Sequence, residues 1–228
     1  MKVGRRLAIK ILNASKFVLS RLEGDADGEV TNPLDRSMLG LLGDLVHDCT
    51  RAFDSYDYSR ALEHTEQFFW DFCDNYLELV KGRAYGAHGP EEQASANASL
   101  TIALGTLLRL FAPHLPFVTE EVWSWWKEGS IHRAGWPDAA ELRELSGAAA
   151  DSEIYATAAG VLSEIRKAKT EAKQSLKADV ARVEVVDTPD RLVALAEAET
   201  DLKEAGNVAE LITRGGDALA VTVTLAGG

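Results

Sequence analysis

Apolar positions recur every three to four residues along most of the chain, the spacing of a helix with one buried face. In the stretch GRRLAIKILNASKF and just beyond it, Leu7, Ala8, Ile11, Leu12, Ala14, Val18, Leu19 and Leu22 occupy an arc of about 80° to 240° measured from Arg6. This predicts a helix over residues 3–22, closed by the loop EGDADGEVTNP. LDRSMLGLLGDLVHDCTRAFDSY predicts a second helix, and DYSRALEHTEQFFWDFCDNYLELVKGRAYG a third. The aromatics of the third, Phe68, Phe69, Trp70, Phe72 and Tyr76, are dense enough to fill the centre of a bundle. SANASLTIALGTLLRLFAPHLP predicts a fourth helix, stopped by Pro113 and Pro116. A fifth is expected to start at Thr119 as N-cap, with Glu120 and Glu121 at its positive end and Val118 stapled to Trp123. An extended piece at Trp136-Pro137 then closes the bundle.

After SGAAADS the pattern changes. Residues 154–177 read as helix, DVARVEVVD alternates as a strand does, and PDRLVALAEAETDLKEAG reads as helix again. VAELITRGGDALAVTVTLAG reads as a hairpin turning at Gly215-Gly216. The expected fold is mainly α: a helical bundle over 1–145 followed by a small α+β appendage over 151–228. Neither an internal repeat nor a low-complexity tract is present.

Composition adds charge to this picture. The 228 residues carry a formal net charge of −12, which argues against a protein that binds nucleic acid by bulk charge. Yet Lys2, Arg5, Arg6, Lys10, Lys16 and Arg21 all precede the first carboxylate, Glu23. A basic edge on an acidic body suits a partner that touches one side only. Cys49 and Cys73 are the only cysteines, and no CxxC pair exists, as expected of a reducing cytoplasm. No leader-like start and no apolar run of roughly 18–20 residues is read, so a soluble protein without a membrane partner is expected.

Candidate catalytic chemistry is sparse. No glycine-rich phosphate loop is present, and LGLLGD and GGD lack its lysine. His47, Cys49, His64 and Cys73 could be drawn as metal ligands, but a spacing of two sends His47 and Cys49 to different helix faces. No catalytic residue and no metal site is therefore assigned.

Binding chemistry is more legible. Lys10, Asn13, Phe17 and Arg21 lie between about −20° and 60° of Arg6 on the first helix, away from its apolar arc. A π-face among cations and an amide offers an unstacked nucleobase stacking, edge hydrogen bonds and phosphate charge together. The alternative is that Phe17 packs under a neighbouring helix and the cations are simply solvated. A second stripe, Arg166, Lys169, Lys173 and Lys177, falls between about −60° and 20° on the helix after the linker. It reads either as a phosphate-binding surface or as a solvated face paired with Glu164 and Glu171.

GRRLAIKILNASKFVL resembles the opening helix of the anticodon-binding domain of valyl-tRNA synthetases, and FFWDFCDNYLELVK resembles that domain's aromatic helix. LLRLFAPHLPFVTEEVW is similar to a signature that valyl, isoleucyl and leucyl enzymes share. The NASKF helix points to valine. The resemblance implies a helical bundle that holds the anticodon loop of a valine-accepting tRNA. It places Lys10 and Phe17 at the bases, with Asn13 and Lys16 beside them, while Arg6 and Arg21 join the site from the helical stripe alone. It also implies that the catalytic domain of the same polypeptide uses ATP with magnesium, while no cofactor belongs to this stretch. The family's His-x-Gly-His and Lys-Met-Ser-Lys-Ser signatures do not occur here, and no heptad tail follows, so a C-terminal part inactive by itself is expected. The rival readings are an isoleucyl-type relative and a helical protein-interaction module.

Overall fold

A computed structural model describes residues 2–21, 28–147 and 151–227. Helix α1 spans Lys2–Leu19 and buries Leu7, Ile11, Ala14 and Val18, the centre of the expected apolar arc. It ends before Leu22, which lies outside the described residues. Helix α2, Pro33–Asp54, begins where the Asn32 side chain accepts a hydrogen bond from the Leu34 amide at 2.9 Å and Pro33 supplies a pre-set φ. It is the hub of the bundle. The third segment comprises α3, Tyr58–Asp71, a π-turn over Phe72–Tyr76, and two short helices, α4, Leu77–Leu79, and α5, Lys81–Ala84. Phe69, Phe72 and Tyr76 fill the core as expected, whereas Phe68 and Trp70 are only half-buried.

Helix α6, Pro90–Phe111, starts ahead of the expected Ser95 and is among the described residues the one helix long and apolar enough to cross a membrane, although no apolar run of that length is expected from the sequence. Its apolar window is 72% buried against α1, α2 and α3, which makes it the core helix of the bundle.

Helix α7 corrects the expected start at Thr119. It spans Pro116–Trp123, with Pro116 in its first turn. Thr119 is already inside and fully buried, and its hydroxyl donates to the carbonyls of Leu115 and Pro116 at 2.9 and 3.2 Å. Val118 is therefore a helical residue, and no staple to Trp123 forms at a helix start. Trp123 instead meets Trp126 edge to face, 5.9 Å between centroids. A 3₁₀ turn, Ile131–Arg133, leads to Trp136, whose indole donates to Thr50 Oγ1 at 2.9 Å, and helix α8, Ala139–Ser146, returns along α2.

Helix α9, Ser152–Glu171, is capped by Asp151 and packs on α2. The expected long helix after β1 (Val180–Asp187) is split into α10, Pro189–Ala196, and α11, Glu199–Gly206. Strands β2, Val208–Gly215, and β3, Ala220–Leu225, follow. They do not form the expected hairpin. The sheet order is β2-β1-β3: β1 pairs with β2 in parallel (Val183 opposite Leu211) and with β3 antiparallel (Val183 opposite Val223). β1 carries the most apolar alternation, with Val183 and Val185 fully buried, so it takes the centre.

One polar network joins the two parts. The Arg83 guanidinium forms a two-pronged pair with Asp35 of α2 at 2.8 Å each, and its Nε donates to Asp201 of α11 at 3.0 Å. Tyr76 and Ser95 hydroxyls donate to the same Asp35 carboxylate at 2.6 and 2.7 Å. Burial works against the Arg83 charge, but Asp35 and Asp201 outweigh it and hold the guanidinium protonated.

Candidate nucleic-acid interface

The stripe on α1 lies on the outside of the bundle, as its spacing requires. Arg6, Asn13 and Lys16 are exposed, and Lys10, Phe17 and Arg21 are half-buried. The third segment runs alongside and supplies partners that the sequence reading missed. The Arg6 guanidinium sits 5.1 Å from the centre of the Trp70 ring, and Lys10 Nζ sits 5.5 Å from the same ring. Lys10 also pairs with Asp74 at 2.8 Å. Further along, Phe17 meets the Tyr85 ring edge to face at 6.2 Å, and the Arg21 guanidinium covers Tyr85 at 4.4 Å. Phe17 thus does both things the sequence left open. One side packs against the core, and the remainder stands among Arg21, Tyr85 and the exposed amide and lysine of α1.

Trp70 was readable as an aromatic but was expected in the core. The signal that could have placed it outside is its spacing of one from buried Phe69, which turns it about 100° away on the helix. Asp74 and Tyr85 carried no such local sign.

The second stripe is not one surface. Helix α9 ends at Glu171, and Lys173 adopts φ 56°, so Lys173 and Lys177 leave the helical register on which their alignment was based. Lys169 is 1% exposed, and its ammonium donates to the carbonyls of Leu176 at 3.0 Å and Gly206 at 2.8 Å. Burial, with Arg166 nearby, lowers its pKa. It is a structural residue that closes the end of α9 onto α11, not a phosphate contact. Arg166 is half-buried, donates to the Asp74 carbonyl of the π-turn and lies 3.8 Å from Glu78. Lys173 and Lys177 alone remain exposed.

Between α1, the π-turn, α4, α5, α9 and α11 runs an open groove of about 1270 Å³, with Trp70 and Tyr85 on its rim and Asp74, Glu78, Glu204 and Lys177 in its walls. Cys73 also faces it, but burial pushes its thiol up to about 12, so it is no nucleophile at neutral pH. Among the described residues no cluster of three or more His, Cys, Asp or Glu side chains could hold a metal ion. The arrangement offers π-faces, amides and a few cations on the outer face of α1 beside a groove of mixed polar and apolar lining. That is equipment for holding a flexible polyanion with exposed bases.

Residues 35–185 match the family model described as the anticodon-binding domain of tRNA ligase, a stretch that runs from α2 into β1 and leaves α1 outside. The chain is also similar to the valine–tRNA ligases of Thermobifida fusca (54% identical over 93% of this chain and 24% of that protein) and Salinispora arenicola (51%, over 95% and 27%). The enzyme of the same name from Cutibacterium acnes is 45% identical over 99% of this chain and 26% of its own length. The chain spans about a quarter of the length of these relatives. With two thirds of its residues inside the family model and the helical bundle in place, it belongs to the anticodon-binding domain family of tRNA ligases.

Proposed function

We propose that this chain is the anticodon-holding part of a valine–tRNA ligase, and that the outer face of α1 meets the anticodon loop. The observation that carries the reading is the α1 ridge. Asn13 and Lys16 are exposed, Phe17 is partly so, and cation–aromatic pairs flank it at both ends. The shared letters of valine anticodons, a middle adenine and a third cytosine, are unpaired in the loop and can splay onto such a ridge. In this reading the bundle, 1–145, holds the loop and the appendage, 151–228, braces it, with Lys173 and Lys177 reaching the RNA backbone. Activation of valine with ATP and magnesium belongs to the rest of the polypeptide, and the whole works in the cytoplasm. No residue of this chain is assigned to the ATP chemistry.

The test is the affinity of the chain for a valine-tRNA transcript. Phe17→Ala should remove about 1–3 kcal/mol of stacking, a roughly five- to 150-fold loss, while Phe17→Tyr keeps the π-face and should be mild. Lys10→Ala should weaken binding at low salt, with the loss fading as salt rises. Its effect should be the smaller one, because Lys10 is already shared with Asp74. If the unmodified chain does not bind, or if folded Phe17→Ala binds as the unmodified chain does, the reading fails. A preference for isoleucine-tRNA would favour the isoleucyl-type rival. Salt-independent capture of a protein would favour the interaction module.

A further inference from the structure

Tyr85 is 56% exposed, a large ring at the C-terminal end of α5. The backbone beneath it is held from inside. Arg83, two residues earlier and so about 200° around the helix, is buried in its pairs with Asp35 and Asp201. The Tyr85 amide donates to the carbonyls of Lys81 and Gly82, both at 3.1 Å, and Gly86 follows at φ 84°, a left-handed turn that glycine adopts at little cost. The ring is presented on a locked turn.

Its surroundings are those of a stacking platform. The Arg21 guanidinium lies over the ring at 4.4 Å, and Phe17 approaches edge-on, with the two planes inclined at 63°. The remainder forms the lip between the α1 ridge and the groove. The groove wall supplies hydrogen-bond acceptors for the edge of a base. Lys81 and Arg166 are both engaged with Glu78, at 3.4 and 3.8 Å, and Asp74 and Glu204 add further carboxylates. The carboxylates Asp71, Asp74, Glu78 and Glu204 are matched in number by Lys10, Lys81, Arg166 and Lys177, so the lining carries no net charge for a phosphate, whereas exocyclic amino groups of adenine, cytosine or guanine would find acceptors.

We propose that Tyr85 is a second base-stacking site, taking an unpaired nucleobase of the same RNA next to the one on Phe17 and directing its edge into the groove. The inference rests on the anticodon-loop reading and extends it from one helix to two segments.

Valine anticodon stem-loops carrying 2-aminopurine singly at each loop position provide the probe, since its fluorescence is quenched on stacking against an aromatic ring. With the unmodified chain, quenching is expected at two neighbouring positions. Phe17→Ala should restore fluorescence at one and Tyr85→Ala at the other, with affinity falling roughly five- to 150-fold in the latter. Tyr85→Phe should retain both. Tyr85→Leu, which keeps bulk without a π-face, should behave as Tyr85→Ala. If Phe17→Ala weakens binding while Tyr85→Ala or Tyr85→Leu leaves affinity and quenching intact, this inference fails and the anticodon reading stands. If the unmodified chain binds no stem-loop, both fall.

Discussion

Replacing Arg83 with leucine should destabilise the chain by about 3–5 kcal/mol, the usual cost of stripping one partner from a buried ion pair. The side chains of Arg83, Asp35 and Asp201 are 3%, 0% and 6% exposed, so water cannot take over the lost contacts. Two carboxylates would remain facing the gap, with the Tyr76 and Ser95 hydroxyls as compensation at Asp35 alone. For a chain of this size the loss corresponds to a fall in thermal midpoint on the order of 6–20 °C. The pH dependence identifies the cause. Burial already holds the Asp201 carboxyl above its ordinary value of 3.8, and Arg83 is the main influence opposing that rise. Without Arg83 the folded state would bind protons more readily than the unfolded chain, so the deficit should deepen as pH rises above the ordinary carboxyl value and shrink as pH falls back towards it. Asp201→Asn keeps the volume and leaves Arg83 its pair with Asp35 and a longer one, at 3.6 Å, with the part-exposed Glu92, so it should cost under about 1 kcal/mol at neutral pH. Urea and thermal melts of both variants across that range are the assay. An Arg83→Leu deficit that is small, or that does not change with pH, would show that shape rather than charge is what the network contributes.

Lys169→Ala should cost about 2–3 kcal/mol, because it strips charge-assisted bonds from two backbone carbonyls, while the pair Lys173→Glu and Lys177→Glu should leave the melt unchanged and weaken tRNA binding. The opposite pattern in melts and filter binding would restore Lys169 to the RNA surface. Burial lowers the pKa of His114 below 6.5, so its contribution to stability is present above that value and lost as pH falls through the folded-state pKa. His114→Gln should flatten the acid-side decline in urea midpoints below about pH 6.5, and an unchanged slope would assign the decline elsewhere.

What the sequence disclosed was what its neighbours along the chain determine. The core of α1 follows from apolar spacing, and the outward stripe follows with it. The start of α7 was misplaced although Pro116 marked it, because Thr119 followed by two glutamates imitates a cap. Lys169 was readable too: it follows buried Leu162 and Ile165 by seven and four residues, which puts it on the core face. The hairpin was misread because Gly215-Gly216 is a local turn signal, while the insertion of β1 between the last two strands is set by its apolar pattern and by helices far away. Asp74 beside Lys10, and Asp35 and Asp201 about Arg83, are separated by 64, 48 and 118 residues, so no window of sequence joins them. Half of the candidate site was legible for the same reason. Its α1 side is periodic, and its Tyr85 side depends on tertiary packing.

The strand order also has a consequence for how the chain comes off the ribosome. β1 is made first but must be flanked by two strands made later, and its second edge stays open until Leu225 has been synthesised. During that interval Val183 and Val185 have no completed sheet around them, and the exposed edge can pair with another nascent chain. The bundle, built from helices that precede the sheet in the chain, can collapse before it, since local contacts form faster than distant strand pairings. Arg83 and Asp35 both belong to that bundle, whereas Asp201 follows later in the chain. The Asp201–Arg83 contact ties α11 to the bundle, and β2, the parallel partner of the central strand, follows directly from that helix.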